Sequence, residues 1–202
     1  MVDFLKADKP LPHTAVFIDK DGTLVDDVPY NVDPAQVKLA AGVTKGLARL
    51  AATNHRLFIV SNQPGIARGY FDKASLEALE QHLQGLFIEH GCRLDGFYYC
   101  PHDRPLSNVP LCECRKPQPG LLLRAARDHD ICLNHSWFIG DILDDVEAGH
   151  RAGCKAILID NGNETEWQSG PLRVPDHTVA DFDQAVARIL DRKPGMLETC
   201  FV

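Results

Sequence analysis

Five short apolar runs punctuate this chain: AVFI (15–18), LFIV (57–60), GFYYC (96–100), WFI (137–139) and AILI (156–159). Continuous rather than alternating apolar residues mark strands covered on both faces, the condition of a parallel sheet. The intervals between them carry the complementary signal. Leu76, Leu79, Leu83, Leu86 and Phe87 share one face of a helix predicted over 73–90, with Asp72 as its N-cap and Gly91 as its stop. Val43, Leu47, Leu50 and Ala51 recur at helical spacing over 43–53, and further helices are predicted over 120–130, 144–153 and 181–190. Strands alternating with amphipathic helices specify an α/β fold with a mostly parallel sheet. Residues 160–180 have no periodicity and are read as irregular.

At 202 residues the chain suits one domain, read here as 14–192, between an N-terminal arm (1–13) and a C-terminal tail (193–202). A net charge of −7 argues against a nucleic-acid binder, which needs a basic face. No apolar run approaches the ~20 residues of a membrane span. The N-terminal stretch has acids and prolines where a signal peptide is continuously apolar, so a cytoplasmic protein is expected. Seven cysteines without a secretory signal favour metal ligation or burial over a disulfide framework. A monomer is the default expectation.

In open parallel sheets the working groups collect beyond the carboxyl ends of strands. AVFI runs into Asp19-Lys20-Asp21-Gly22-Thr23, LFIV into Ser61-Asn62-Gln63, and WFI into Gly140-Asp141 with Asp144 and Asp145 close behind. Asp19 and Asp21 repel unless a cation lies between them, and Mg²⁺ with oxygen ligands suits them, with Asp141 completing the site. Taken alone, the Asp-Gly pair reads equally well as a solvated turn. The polar residues after two further buried strands weaken that reading.

A second cluster lies at 100–114. Cys100, His102, Cys112 and Cys114 form a C-x-H-x9-C-x-C set, which suits tetrahedral, structural Zn²⁺ better than scattered thiols. Arg115 and Lys116 follow the last cysteine directly. The intervening stretch has three prolines and little apolar content, so it cannot hold itself by burial, and zinc would fix the basic pair. Cys92, Cys132, Cys154 and Cys200 have no partner at ligand spacing and read as core or surface thiols.

With DKDGT (19–23), SNQ (61–63), Lys116 of CRKP and GDILDD (140–145) in this order, residues 14–160 resemble the haloacid dehalogenase-like phosphatase superfamily. The zinc loop narrows the resemblance to the branch of D-glycero-D-manno-heptose 1,7-bisphosphate phosphatases and histidinol-phosphate phosphatases. The resemblance implies a Rossmann-like three-layer fold with no large cap domain. It implies Asp19 as nucleophile, Asp21 as general acid and then base, and Ser61 and Lys116 as ligands of the transferring phosphoryl group. Asp19, Asp141 and the carbonyl of Asp21 would bind Mg²⁺, with Asp145 a subsidiary candidate and Asp144 a helix N-terminal acid. Asp27 and Tyr30, Arg68 of GIARGYF (65–71), Asn62, Gln63 and Arg115 match substrate-contacting positions; Arg68 reads equally as a solvated arginine. The implied partner is a phosphorylated sugar, most closely heptose 1,7-bisphosphate. Histidinol phosphate, a broader sugar-phosphate range and a non-catalytic zinc-stabilised binding protein are the alternatives. Two departures stand out. Pro64 replaces a small hydroxyl residue, and DNGNETEWQSG (160–170) fits no family pattern.

Overall fold

A computed structural model describes residues 12–106 and 109–191, so most of the arm and the whole C-terminal tail lie outside the described residues. The elements are β1 (Ala15–Ile18), α1 (Val43–Leu50), β2 (Arg56–Asn62), α2 (Lys73–Glu89), β3 (Gly96–Cys100), α3 (Gly120–His129), β4 (Trp137–Gly140), α4 (Leu143–Ala152), β5 (Lys155–Ile159), β6 (His177–Val179) and α5 (Phe182–Leu190). They form one sheet in the order β3-β2-β1-β4-β5-β6, every pair parallel. The expected α/β class holds, and the sheet is wholly rather than mostly parallel among the described residues.

Strand alternation sorts the core into two layers. Val16, Ile18, Leu57, Ile59 and Ile139 face one way, against α1, α2 and α5. Ala15, Phe17, Phe58, Val60 and Phe138 face the other, against α3 and α4. All four residues of β1 are 0 % exposed, which is why that strand reads as an unbroken apolar run. Chain order reverses beside β1, which pairs with β2 on one side and β4 on the other. That reversal opens a crevice past the carboxyl ends of β1 and β4, where ligands of such sheets bind.

Three expectations change in detail. Residues 160–180 are not wholly irregular, because His177–Val179 pairs with β5 as the edge strand β6; three residues are too few to show a period. Strand β2 runs on to Asn62, so Ser61 lies within the sheet. Cys92 and Cys154 are buried free thiols as expected, whereas Cys132 is disulfide-bonded. Among the described residues no helix is long and apolar enough to cross a membrane.

Two glycines test this packing with opposite signs. A Cβ on Gly46 in α1 would lie 2.4 Å from the Phe182 ring of α5, whereas one on Gly85 in α2 meets nothing within 4 Å. Gly46→Ala should therefore lower unfolding stability by about 1–3 kcal/mol through overpacking. Gly85→Ala should raise it by about 0.5–1 kcal/mol through helix propensity. Urea titrations of the two variants measure both.

Candidate active site

Ile18 of β1 registers with Ile139 of β4, and the Asp19 amide continues that ladder by donating to the Ile139 carbonyl at 2.9 Å. Asp19 and Asp141 are thereby delivered to one crevice, both buried. Two glycines make room for the acids. Gly22 turns with φ of 82°, and a Cβ there would fall 2.1 Å from Asp141 Oδ2. A Cβ on Gly140 would fall 2.2 Å from Cβ of Asp145, so only glycine lets the first turn of α4 fold that carboxylate back onto β4. Asp145 also accepts from the Ile142 amide at 3.3 Å. The subsidiary candidate thus lies at the centre: one oxygen each of Asp19, Asp141 and Asp145 falls within 4.8 Å of the others.

Lys116 reaches into this cluster from the zinc-type loop. Its Nζ pairs with Asp19 Oδ1, lies 2.7 Å from Asp145 Oδ1, and donates to the Val60 carbonyl of β2 at 3.1 Å. The contact to Asp145 is an ion pair without hydrogen-bond alignment, and Oδ1 has no hydrogen-bond donor. Burial alone would lower the Lys116 pKa, but Asp145 and Asp19 more than offset it and hold the ammonium charged. Three carboxylates still face one ammonium. Burial, then repulsion from Asp19 and Asp145, drives the Asp141 pKa upward; burial, then Asp19, does the same to Asp145 against the pull of Lys116. A surplus of buried negative charge with an orphaned carboxylate oxygen fits a hard divalent cation such as Mg²⁺.

Asp21 stands beside the cluster with its side chain turned elsewhere. Oδ1 accepts from Lys20 Nζ at 2.5 Å and Oδ2 from Gln63 Nε2 at 3.2 Å. Burial raises its pKa, partly opposed by Lys20. The same Gln63 amide donates to Ser61 Oγ at 2.8 Å, tying the hydroxyl on β2 to the acid after β1.

The two amides expected to meet substrate are engaged within the protein. Gln63, 3 % exposed, bridges Ser61 and Asp21. Asn62 Oδ1 accepts from the Lys116 amide at 3.1 Å and its Nδ2 donates to the Lys116 carbonyl at 3.3 Å, so it grips the backbone of the lysine. Arg115 Nη1 donates to the His102 carbonyl at 3.0 Å. Asp27 and Tyr30 are exposed on the loop beyond β1, and Arg68 joins Tyr30 to Asp103. Asp144 pairs with Arg173 at 3.0 Å.

Four residues at the site escaped the sequence reading. Lys20 is buried against Asp21, and Thr23 Oγ1 donates to Asp141 Oδ1 at 3.1 Å. Asn163 Nδ2 donates to Asp141 Oδ2 at 2.7 Å, and Asn161 Nδ2 to the Gly22 carbonyl at 2.7 Å. The available signal was position: DNGN follows the end of β5, on the same sheet edge.

Cys100 ends β3, and the other members of its cluster close on it. Its Sγ lies 3.7 Å from Cys112, 3.2 Å from Cys114 and 3.5 Å from His102 Nδ1. Cys114 Sγ lies 3.3 Å from both Cys112 Sγ and His102 Nδ1. A tetrahedron with Zn–S of about 2.3 Å has edges of about 3.8 Å, so the donor set fits zinc in both chemistry and spacing.

Acids gathered around one ammonium at the switch point of a parallel sheet suit a phosphate monoester hydrolase, and this fold is that of the haloacid dehalogenase-like class. The sequence profile of HAD-hydrolase-like proteins matches residues 113–185. Over 177 residues the chain is 40 % identical to a D-glycero-beta-D-manno-heptose-1,7-bisphosphate 7-phosphatase of Helicobacter pylori, spanning 85 % of this chain and 95 % of that one. It is 34 % identical over 152 residues to a 7-phosphatase of Campylobacter jejuni named for the alpha anomer, covering 75 % of this chain and 85 % of that one. The crystal structure of a D,D-heptose 1,7-bisphosphate phosphatase from B. bronchiseptica, complexed with magnesium and phosphate, superposes with a TM-score of 0.75 at 30 % identity, covering 88 % of this chain and 98 % of that one. The chain belongs to this heptose-bisphosphate phosphatase family.

The raised carboxyl groups make a pH-dependent prediction. Because the pKa values of Asp141 and Asp145 lie above the ordinary aspartate range, the native state holds more protons than the unfolded chain across that interval. Metal-free stability should therefore fall as pH rises from about 5 to about 8. Mg²⁺ competes with those protons, so its increment in Tm should be larger at the alkaline end. Thermal unfolding with EDTA or excess Mg²⁺ measures it, and a pH-independent increment contradicts it.

Proposed function

We propose that this chain is a Mg²⁺-dependent phosphatase that removes the 7-phosphate of D-glycero-D-manno-heptose 1,7-bisphosphate through an aspartyl-phosphate intermediate. One observation carries this reading: the Lys116 ammonium pairs with Asp19 and Asp145 at once, so the first, third and fourth signature segments meet at one point. The relatives' activity supports the substrate class.

In the first step a carboxylate oxygen of Asp19 attacks phosphorus as the bond to the sugar oxygen breaks. The leaving oxygen takes the proton of Asp21, a role that the upward shift of its pKa by burial favours. Asp21, now a carboxylate, then accepts a proton from the water that attacks the aspartyl phosphate, which releases inorganic phosphate and regenerates Asp19. Lys116 and the Ser61 hydroxyl offset charge on the phosphoryl oxygens. Asp19, Asp141 and the Asp21 carbonyl would hold Mg²⁺, which supplies the positive charge that lets a dianion approach buried acids. Gln63 and Asn62 position Ser61, Asp21 and Lys116 rather than touch the sugar. Zinc on Cys100, His102, Cys112 and Cys114 would fix the loop that presents Arg115 and Lys116.

Phosphate release from both anomers of heptose 1,7-bisphosphate and from histidinol phosphate tests the assignment. The bisphosphate should have the higher kcat/KM by at least about tenfold, a difference of about 1.4 kcal/mol in transition-state binding. A preference for histidinol phosphate would overturn the substrate reading. Asp19→Asn should keep its fold and zinc content but lose turnover by more than about 10³-fold. Stripping zinc while Mg²⁺ stays in excess should lower turnover, and undiminished activity would remove zinc from the account.

A further inference from the structure

Three consecutive strands of the sheet, β1, β2 and β3, each send a loop from their carboxyl ends: the segment around 27–31, the segment 64–71, and the metal-type loop from residue 101. Nothing in the mechanism uses the tips of the first two. Arg68 joins all three. Its Nε donates to Asp103 Oδ2 at 2.9 Å and its Nη2 to Asp103 Oδ1 at 2.6 Å, a two-pronged pair of planar partners. The remaining nitrogen, Nη1, donates to the Tyr30 hydroxyl. Each guanidinium nitrogen therefore has a partner within the protein, which commits three of the five N–H donors to holding the loops together.

Tyr30 needs such support. Its φ of 58° lies in the left-handed region, which is unfavourable for a residue with a side chain. Besides the Arg68 bond, its ring packs edge-on against Tyr70 at 4.8 Å. Tyr70 is anchored in its own loop by its backbone N–H, which donates to the Gly65 carbonyl at 2.8 Å. On the other side, Asp103 directly follows His102, whose side chain belongs to the zinc-type cluster and whose carbonyl holds Arg115. Residues 102 and 103 thus hold an arginine each, one toward the rim and one toward the catalytic lysine.

We propose that Asp103 is a positioning residue for substrate recognition, which through Arg68 fixes Tyr30 at the rim, so that the Cys/His-bound loop sets how the non-reacting part of the sugar phosphate is received. This inference rests on the phosphatase reading for its kinetic consequence and on geometry alone for the clasp itself.

Asp103→Ala, Arg68→Ala and their double variant test it, each checked for retained zinc by elemental analysis. With heptose 1,7-bisphosphate, each single variant should raise KM about 3- to 10-fold with kcat within about twofold, and the double variant should be no worse than either single one. Hydrolysis of p-nitrophenyl phosphate, which has no sugar to recognise, should be unchanged. Asp103→Glu should restore most of the KM. In hydrogen exchange, amides of 27–31 and 65–71 should open about tenfold faster in Asp103→Ala while those of β1 and β4 stay protected. If Arg68 instead binds substrate directly, Arg68→Ala alone raises KM and Asp103→Ala does not, which overturns the proposal. Unchanged exchange of both loops in Asp103→Ala overturns it too. Should the wild-type protein turn over no sugar phosphate at all, the phosphatase reading fails by itself, and the exchange measurement still decides the clasp.

Discussion

The contact on which this architecture turns is the ammonium of Lys116 set between the carboxylates of Asp19 and Asp145. All three groups are almost wholly buried, and burying ions is costly unless geometry and hydrogen bonding compensate. Much of the surrounding structure supplies that compensation. The Val60 carbonyl accepts a hydrogen bond from the ammonium, and Asn62 holds the lysine backbone from both sides. Gly140 leaves the space that Asp145 needs. The cluster remains over-supplied with negative charge, which is the condition for receiving a cation and, with it, a phosphate.

Work is divided between sheet and loops in a consistent way. The strands contribute no chemistry from their interiors. They set the register that brings Asp19, Ser61, Cys100 and Asp141 to one edge. Each loop leaving that edge then carries polar fastenings of its own. Asn163 and Thr23 hold the two oxygens of Asp141, and Glu164 accepts the Leu143 amide at 2.7 Å at the start of α4.

Legibility in the sequence followed interaction range. The principal strands could be read because burial on both faces leaves an unbroken apolar run, and the helices because burial of one face imposes a period. β6 could not, being three residues at an edge. The acids at 19, 21 and 141 and the Cys/His cluster at 100, 102, 112 and 114 were legible from residue type and spacing. The direction of Asn62 and Gln63 was not: both were expected to face substrate, and both turn inward because Lys116 and Asp21 offer unsatisfied partners there. Asn161 and Asn163 were illegible for the same reason, as they meet residues 139 and 22 positions away.

Sequence alone determined which chemical groups this protein possesses, the order in which strand ends deliver them, and the pairing of an acid cluster with a Cys/His cluster, because these depend on residue identity and local periodicity. Tertiary structure alone decided that Asp145 lies at the centre of the site, that the amides of Asn62 and Gln63 act as internal braces, and that Arg68 links three loops. Those outcomes depend on distances between side chains remote in the chain, and such distances exist only once the sheet has set the register of its strand ends.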